Sequence, residues 1–112
     1  METISVVTPV FNETECLPLF YERVRKVADG MPGTAFELLF VDDGSMDGSF
    51  EMLSKIARSD PRVRVLKFSR NFGSYTALTA GLVNARGAAA VTLSADLQDP
   101  PELIPELLRR RH

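Results

Sequence analysis

Apolar and polar positions along this 112-residue chain follow two periods, one typical of buried strands and one typical of amphipathic helices. Short apolar runs predict strands at 4–8, 36–41, 63–68 and 88–93. Apolar residues spaced three or four apart predict helices near 12–28, 47–58 and 74–85, and a last helix after residue 99. Strands that alternate with helices pair in parallel through right-handed crossovers. The pattern therefore predicts an α/β fold, a mainly parallel sheet of about four strands with helices on both faces.

Residues with special backbone or capping preferences predict where these elements begin and end. Pro9 is expected to stop the first strand. Asn12 and Glu15 have the spacing of a capping box, so the first helix is expected to start near Asn12. Asp99 is expected to cap the last helix, with Glu102 at the matching box position. The second helix is expected to be capped by Ser45 or Asp47.

Composition describes one soluble globular domain over residues 1–112, with 45% hydrophobic and 25% charged residues. A net charge of −2 gives no electrostatic reason to expect a nucleic-acid partner. The single cysteine, Cys16, cannot form an internal disulfide, which favours a reducing compartment. The chain shows neither a signal-peptide pattern nor an apolar run long enough to span a bilayer, so the expected localisation is cytoplasmic.

Acidic clusters follow two of the predicted strands and carry the most specific chemical signal. Asp42 and Asp43 end the second strand, and Asp96 follows the fourth, with Gln98 two residues later. A carboxylate at the end of a buried strand is costly unless it binds something. Ligands of open α/β sheets bind at this carboxyl edge. Oxygen ligands there suit Mg²⁺ or Mn²⁺, and such a metal suits a phosphorylated substrate.

Four segments together resemble the N-terminal half of family-two glycosyltransferases of the GT-A fold. The segments are VTPVFNE at 7–13, VDDGSMDG at 41–48, SRNFG at 69–73 and ADLQDPPE at 95–102. The last segment is most similar to the polyprenyl-phosphate branch, which includes dolichol-phosphate mannosyltransferase and bacterial undecaprenyl-phosphate enzymes. The resemblance implies a Rossmann-like nucleotide-sugar-binding half, with the acceptor-binding C-terminal part of the family absent from these 112 residues.

The resemblance places a nucleotide-sugar donor against the first two segments. Pro9 and Phe11 are expected near the nucleotide base, and Glu13 near the ribose or base. One aspartate of the pair after the second strand accepts a hydrogen bond from the base N–H. We expect this to be Asp42, with Asp43 more structural, although both belong to the predicted donor site.

The other two segments are expected to meet the diphosphate. Arg70 follows the third strand, where a guanidinium neutralises phosphate. The family carries an Asp-x-Asp pattern after the fourth strand, but Ser94 occupies its first position here. Asp96 keeps the second position and is expected to be the catalytic and metal-binding carboxylate, with Gln98 offering another oxygen to Mg²⁺ or Mn²⁺.

The activity that the resemblance implies is inverting transfer of a sugar from a UDP- or GDP-linked donor to a polyprenyl phosphate. The longer family enzymes would do this at the inner face of the cell membrane, and an open sheet edge favours a homo-oligomer. Two other functions stay open: a catalytically inactive nucleotide-binding module, favoured by Ser94, and a nucleotidyltransferase, although the first loop lacks its glycines. A dinucleotide-binding domain is disfavoured because no G-x-G-x-x-G motif follows the first strand. A receiver domain is disfavoured because no lysine follows Lys67.

Overall fold

The computed structural model describes residues 2–110 and confirms the α/β architecture. The strands are β1 Glu2–Val10, β2 Thr34–Asp42, β3 Val63–Lys67 and β4 Ala89–Thr92. The helices are α1 Leu17–Asp29, α2 Ser49–Ser59, α3 Ser74–Asn84 and α4 Ile104–Arg109, the last preceded by a 3₁₀ turn at Pro101–Leu103. All strand pairs are parallel, and the spatial order of the sheet is β3-β2-β1-β4.

The strand order contains one reversal of direction, which locates the crevice of the fold. The chain builds outward from β1 through β2 to β3, and then crosses to pair β4 with the other side of β1. In open α/β sheets, ligands bind outside the carboxyl ends of the strands where the order reverses. The carboxyl ends of β1 and β4 therefore mark the expected ligand crevice.

One face of the sheet packs against α1, α2 and the C-terminal helical segment. Side chains of successive strand residues point to opposite faces. The apolar even-numbered residues of β1 and β2 belong to the core on this face, where the rings of Phe20 in α1 and Phe40 in β2 meet edge to face at 6.2 Å. Other members of this core are Ile4, Val6, Val24, Leu38, Leu53, Val91 and Ile104.

The opposite face is covered by α3, whose small residues allow a close approach. Val7 and Val41 are fully buried beneath it, as is Ala77 of the helix itself. A Cβ added to Gly81 would lie 2.4 Å from Val7 Cγ1, so only glycine fits at this position. Helices therefore lie on both faces, as the strand and helix pattern predicted.

Pro9 does not stop β1, which continues to Val10. The carbonyl of Val7 accepts a hydrogen bond from the Leu93 N–H at 3.1 Å, so the odd positions of β1 point toward β4. Since β4 ends at Thr92, the residue paired with Val7, the missing N–H of Pro9 faces past the end of that strand. Proline therefore costs the ladder no hydrogen bond here.

Glu37 is a buried carboxylate in the amino-terminal half of the sheet, and its oxygens have several partners. It accepts hydrogen bonds from Ser5 Oγ at 2.6 Å and from the Arg86 backbone N–H at 2.9 Å, and the Arg64 guanidinium pairs with it. Burial alone would raise the pKa of Glu37, but these hydrogen bonds hold it below its ordinary value. This carboxylate is a structural link between β1, β2, β3 and the start of β4.

Asp60, just before β3, is satisfied in the same way. It accepts hydrogen bonds from Tyr21 Oη at 2.6 Å and from Arg62 Nη2 at 3.0 Å. Burial would raise the pKa of Asp60, but the bonds from Arg62 and Tyr21 hold it below its ordinary value. Burial and the hydrogen bond to Asp60 in turn raise the pKa of Tyr21 to about 12. Asp60 therefore links α1 to the beginning of β3.

Candidate functional site

Four loops follow the carboxyl ends of the strands and carry or adjoin every predicted site residue. We number them in chain order as loop 1 (11–16), loop 2 (43–48), loop 3 (68–73) and loop 4 (93–100). Because all strands are parallel, the four loops lie at the same edge of the sheet. This edge is the candidate site.

Asn12 fastens loop 1 to loop 2. Its backbone N–H donates to Ser45 Oγ at 2.9 Å, and its Oδ1 accepts from the Met46 N–H at 2.9 Å. Its φ of 53° lies in the left-handed region, which asparagine tolerates better than most residues. The predicted capping box was therefore wrong, because α1 begins at Leu17 with Cys16 at its N-cap.

The next two residues of loop 1 complete this connection. The Glu13 N–H donates to Ser49 Oγ at 2.9 Å, and the Thr14 N–H and Oγ1 donate to Asp47 Oδ2 at 3.3 and 3.0 Å. Burial raises the pKa of Asp47, but hydrogen bonds from Ser49 and Thr14 lower it overall. Gly48 is the N-cap of α2, while Asp47 accepts from the first helical N–H at 3.1 Å. These backbone N–H groups are occupied by protein oxygens and leave no anion-binding nest in loop 1.

Asp42 ends β2 with a carboxylate that is only half satisfied. The residue is 0% exposed. Its Oδ2 accepts from the Ser45 N–H at 3.3 Å, while Oδ1 is buried without a hydrogen-bond partner among residues 2–110. A buried charged oxygen without a donor is strongly unfavourable, so this oxygen is a candidate to accept from a group outside the protein, such as a ligand or a water.

Asp43, the next residue, has its carboxylate directed into loop 3. Oδ1 accepts from the Phe72 N–H at 2.8 Å, and Oδ2 accepts from Asn71 Nδ2 at 3.0 Å and from the Gly73 N–H at 3.1 Å. Its own N–H donates to the Val10 carbonyl at 2.8 Å. The two adjacent aspartates therefore differ: one is saturated by protein donors and the other is not.

Arg70 lies exposed in loop 3 beside a cleft of about 380 Å³. Its guanidinium carbon is 4.4 Å from the centroid of the Phe72 ring, a cation–π distance. The cleft runs between loops 1, 2 and 3, and we call it the loop cleft. It is lined by Phe11, Gly44, Ser45, Met46, Lys67, Phe68, Ser69, Arg70 and Asn71.

Glu13 and Asp96 bring loops 1 and 4 into electrostatic contact. Burial raises the pKa of Glu13, and the charges of Asp96 and Asp47 raise it further, while a hydrogen bond from the Cys16 thiol opposes them. Burial and the Glu13 carboxylate raise the pKa of Cys16 in turn, which keeps this thiol protonated. The repulsion between the carboxylates marks a place where a cation or a neutral hydrogen-bond donor would be favourable.

Asp96 is exposed and is oriented by its own loop. Ser94 Oγ donates to Asp96 Oδ1 at 2.7 Å, and the Gln98 backbone N–H donates to the same oxygen at 3.1 Å. Leu97 between them has a φ of 67°, which turns the loop sharply. Within residues 2–110, no three His, Cys, Asp or Glu side chains are grouped to hold a metal on their own. A metal here would therefore take most of its ligands from a bound diphosphate and water, the usual situation for Mg²⁺.

A second cleft of about 380 Å³ opens where the strand order reverses, and we call it the switch-point cleft. It is lined by Pro9, Ser74, Tyr75, Leu78, Thr92, Leu93, Ser94 and Asp99. Asp99 was predicted to cap the last helix, which is wrong, because Pro100 precedes the 3₁₀ turn and no side-chain capping bond is present. Glu102 pairs with Arg23 of α1 instead of completing a capping box.

The structure brings the predicted residues to one edge but divides them among three places. Pro9 lies in the switch-point cleft, Phe11 and Arg70 line the loop cleft, and Glu13 lies near Asp96. The sequence reading did not identify Asn12, Ser49 and Asn71 as residues that connect the loops. Their hydrogen bonds join positions far apart in the chain, so no local pattern indicates them.

Between residues 2 and 110, no helix combines the length and the apolar character needed to cross a membrane. Residues 5–110 match the model of the family described as Glycosyl transferase family 2. The chain therefore belongs to glycosyl transferase family 2.

Two curated relatives show where in the family the chain lies. An uncharacterized glycosyltransferase, YkcC, from Bacillus subtilis is 48% identical over 106 residues, which is 95% of this chain and 32% of the relative. The bactoprenol glucosyl transferase of Shigella phage SfV is 46% identical over 107 residues, 96% of this chain and 34% of the relative. The chain spans about a third of the length of these relatives.

Solved structures support the GT-A-type fold. TarS from S. aureus (residues 1–349) superposes with a TM-score of 0.71 at 20% identity, covering 96% of this chain and 31% of that one. The mannosyltransferase PcManGT from Pyrobaculum calidifontis, solved in complex with GDP-Man and Mn²⁺, gives a TM-score of 0.64 at 25% identity. That match covers 83% of this chain and 27% of the mannosyltransferase.

Proposed function

We propose that residues 1–112 form the donor-binding part of an inverting glycosyltransferase that transfers a sugar from a nucleotide sugar to a polyprenyl phosphate. The observation that carries this proposal is the buried Oδ1 of Asp42, which has no protein donor at the ligand edge of the sheet. Relatives named for bactoprenol glucosyl transfer support the lipid-phosphate acceptor. A domain that acts on such an acceptor would work at the inner face of the cell membrane.

The nucleoside is proposed to bind between Asp42 and the loop cleft. Uracil and guanine both present a ring N–H, and either one would satisfy the open Oδ1 of Asp42. The half-exposed ring of Phe11 offers a stacking face beside that edge. Glu13 follows Phe11 in the same loop, and its carboxylate would accept hydrogen bonds from ribose hydroxyls, which need an acceptor.

The diphosphate is proposed to extend from Arg70 toward Asp96. The guanidinium of Arg70 would pair with phosphate oxygens. Asp96 would hold a divalent ion shared with the diphosphate, with Gln98 and Ser94 beside it in loop 4. PcManGT was solved with both GDP-Man and Mn²⁺, which supports Mn²⁺ or Mg²⁺ as the ion. When bound, such an ion supplies positive charge next to the departing diphosphate.

The reaction follows from this placement. An oxygen of the acceptor phosphate attacks the anomeric carbon from the face opposite the diphosphate and forms the new C–O bond. The bond from the anomeric carbon to the diphosphate oxygen breaks, and the nucleoside diphosphate leaves with that electron pair. A phosphate monoester has a second pKa of about 6, so the nucleophile is already ionised at neutral pH. The donor part therefore needs no general base for a phosphate acceptor.

Calorimetric titration of the purified chain with UDP and GDP, with and without Mn²⁺, tests the proposal. We expect metal-dependent binding of one of the two nucleotides, and a loss of the metal dependence in Asp96→Ala. Glu106→Ala is the matched control, because it removes an α4 carboxylate that pairs with Arg109 and Arg110 and lies outside the four loops. Failure of the folded chain to bind either nucleotide would contradict the proposal.

A second function, nucleotide binding without turnover, is favoured by Ser94. In this structure the Ser94 hydroxyl donates to Asp96, so positions 94 and 96 hold one carboxylate where the family pattern has two. Restoring the pattern with Ser94→Asp separates the two functions. Two results would support an inactive domain. The Ser94→Asp variant would bind nucleotide more tightly in Mn²⁺, and in a full-length protein it would transfer sugar while the unaltered sequence does not.

A further inference from the structure

Asp43 makes all of its side-chain hydrogen bonds to loop 3, although it stands beside the residue proposed to bind the base. The residue is 2% exposed, and its two oxygens accept three hydrogen bonds from Asn71, Phe72 and Gly73. Two of the donors are backbone N–H groups, so these bonds fix the path of the chain itself. Asp43 is therefore placed to determine the conformation of loop 3.

Gly44 supports the same loop from below. Its φ is 77°, and a Cβ at this position would lie 2.3 Å from the Arg70 carbonyl carbon and 2.4 Å from the Asn71 nitrogen. The backbone of Arg70 thus rests directly on the backbone of Gly44. Loop 3 is held by Asp43 through hydrogen bonds and by Gly44 through close packing.

The Phe72 ring connects the fixed backbone of loop 3 to the Arg70 side chain. Asp43 holds the Phe72 N–H, and the ring packs edge to face against Phe68 with centroids 5.5 Å apart. The Arg70 guanidinium lies 4.4 Å from the centre of the same ring. A continuous series of contacts therefore connects the buried Asp43 carboxylate to the Arg70 guanidinium at the loop cleft.

From these contacts we infer that Asp43 is a positioning residue that holds Arg70 toward the nucleotide through Phe72. The inference rests on the proposed function, because it assigns Arg70 to the nucleotide diphosphate. Asp43 touches neither donor nor metal in this account. Because Asp43 keeps the Arg70 guanidinium stacked in the free protein, this long side chain loses less conformational entropy when the nucleotide binds.

A double-mutant cycle tests whether Asp43 acts through Arg70. We expect Asp43→Asn and Arg70→Ala each to weaken UDP or GDP binding about tenfold, as for loss of a charge-assisted contact. Because both changes remove the same interaction, the double variant should bind no more than about twofold more weakly than Arg70→Ala. A multiplicative effect of about a hundredfold would overturn the inference, since it would mean that the two residues act independently.

Asp60→Asn is the matched control, because Asp60 is also a buried carboxylate with protein donors on both oxygens. We expect both aspartate variants to lower the free energy of unfolding, and only Asp43→Asn to lower nucleotide affinity. Equal loss of affinity in both would show that general destabilisation is the cause and would overturn the inference. Phe72→Leu, at a residue 47% exposed, leaves the backbone bonds to Asp43 in place and provides a variant that folds. Unchanged affinity in Phe72→Leu would also overturn the inference.

An NMR measurement on the free chain separates failure of this inference from failure of the proposed function. We expect Arg70 side-chain protons above the Phe72 ring to show an upfield ring-current shift, and the Phe72 and Gly73 amides to be protected from exchange. We expect Asp43→Asn to remove the shift and the protection, with or without nucleotide. A shift that persists in Asp43→Asn would overturn the inference even if the chain binds UDP or GDP as proposed.

Discussion

Glu37 and Asp60, in the amino-terminal half of the sheet, contrast with Asp42 and Glu13 at its carboxyl edge. In the amino-terminal half, both carboxylate oxygens of Glu37 and of Asp60 accept hydrogen bonds from protein donors. These bonds hold the pKa of each residue below its ordinary value. At the carboxyl edge, one oxygen of Asp42 has no donor, and burial and neighbouring charges raise the pKa of Glu13. A satisfied carboxylate stabilises the fold, whereas an unsatisfied one retains its capacity to bind a ligand.

Asp43 and Asp47 show that position at the carboxyl edge does not by itself make a carboxylate available. Both stand in loop 2 next to Asp42, and both are occupied by donors from neighbouring segments. The distinction between structural and ligand-binding aspartates therefore depends on partners, not on location. The following predictions test this distinction, beginning with the largest expected effect.

Gly44→Ala should have the largest effect, because it strains a positive φ and collides with loop 3. The clash is with backbone atoms of Arg70 and Asn71, which cannot rotate away. We expect the free energy of unfolding to fall by about 3 kcal/mol and nucleotide binding to be lost. Gly73→Ala is the control, since its φ is 101° but no atom lies within 4 Å of the added Cβ. Urea unfolding of both variants checks this, and equal losses would contradict the assignment of the effect to loop 3.

Glu37→Gln should lower stability without affecting the site. The substitution weakens hydrogen bonds from Ser5 and Arg64 that depend on a charged acceptor. We expect a loss of about 2 kcal/mol in the free energy of unfolding, in line with hydrogen bonds to charged groups. Nucleotide affinity, measured by calorimetry, should stay within about twofold of that of the unaltered chain. A large change in affinity would show that the two halves are coupled.

The pH dependence of stability should differ in sign between Glu37 and Glu13. The lowered pKa of Glu37 contributes stability above its ordinary value near 4.5 that is lost as pH falls through the lowered pKa. The raised pKa of Glu13 does the reverse, since stability is lost as pH rises from 4.5 through the raised pKa. Glu13→Gln should therefore stabilise the chain at pH 7, by less than Glu37→Gln destabilises it. Both changes in the free energy of unfolding should become smaller as the pH falls. Unfolding curves from pH 3 to 7 check this, and a change of the opposite sign in either variant at pH 7 would contradict the prediction.

Arg23→Ala should have the smallest effect. The Arg23–Glu102 pair joins α1 to the 3₁₀ turn, but both side chains are partly exposed to solvent and salt. We expect a loss of about 0.5 kcal/mol, the range of surface ion pairs, that disappears at high salt. Thermal unfolding at two salt concentrations checks this. A loss of stability as large as that of Glu37→Gln would mean that solvent exposure does not make the Arg23–Glu102 pair weaker than the Arg64–Glu37 pair.

The sequence predicted the parts of the fold that depend on local pattern. Apolar periodicity located all four strands, and the order of strands and helices predicted parallel pairing. It misplaced the start of α1 because Asn12 forms hydrogen bonds with Ser45 and Met46 instead of capping a helix. Asp99 was misread for a similar reason, since proline geometry governs the turn that follows it. Both errors occur where long-range contacts or proline override local capping preference.

The candidate site was predictable in location and less so in the roles of its residues. The resemblance to the family indicated the carboxyl edge and the residues there. The sequence did not show that one oxygen of Asp42 lacks a donor, because this depends on how the neighbouring loops pack and not on the local Ser45 N–H that donates to the other oxygen. The arrangement of Asp43 with Asn71, Phe72 and Gly73 likewise depends on how loops 2 and 3 meet.

Asp42→Asn tests the central claim most directly, with nucleotide affinity and stability measured on the same sample. Titration with UDP and GDP in Mn²⁺ should show affinity at least about tenfold weaker, because a charged acceptor for the base N–H is lost. Urea unfolding should show stability equal to or above that of the unaltered chain, because a buried, half-satisfied charge is removed. Unchanged affinity, or a loss of stability as large as that of Glu37→Gln, would contradict the claim that Asp42 is kept unsatisfied for a ligand.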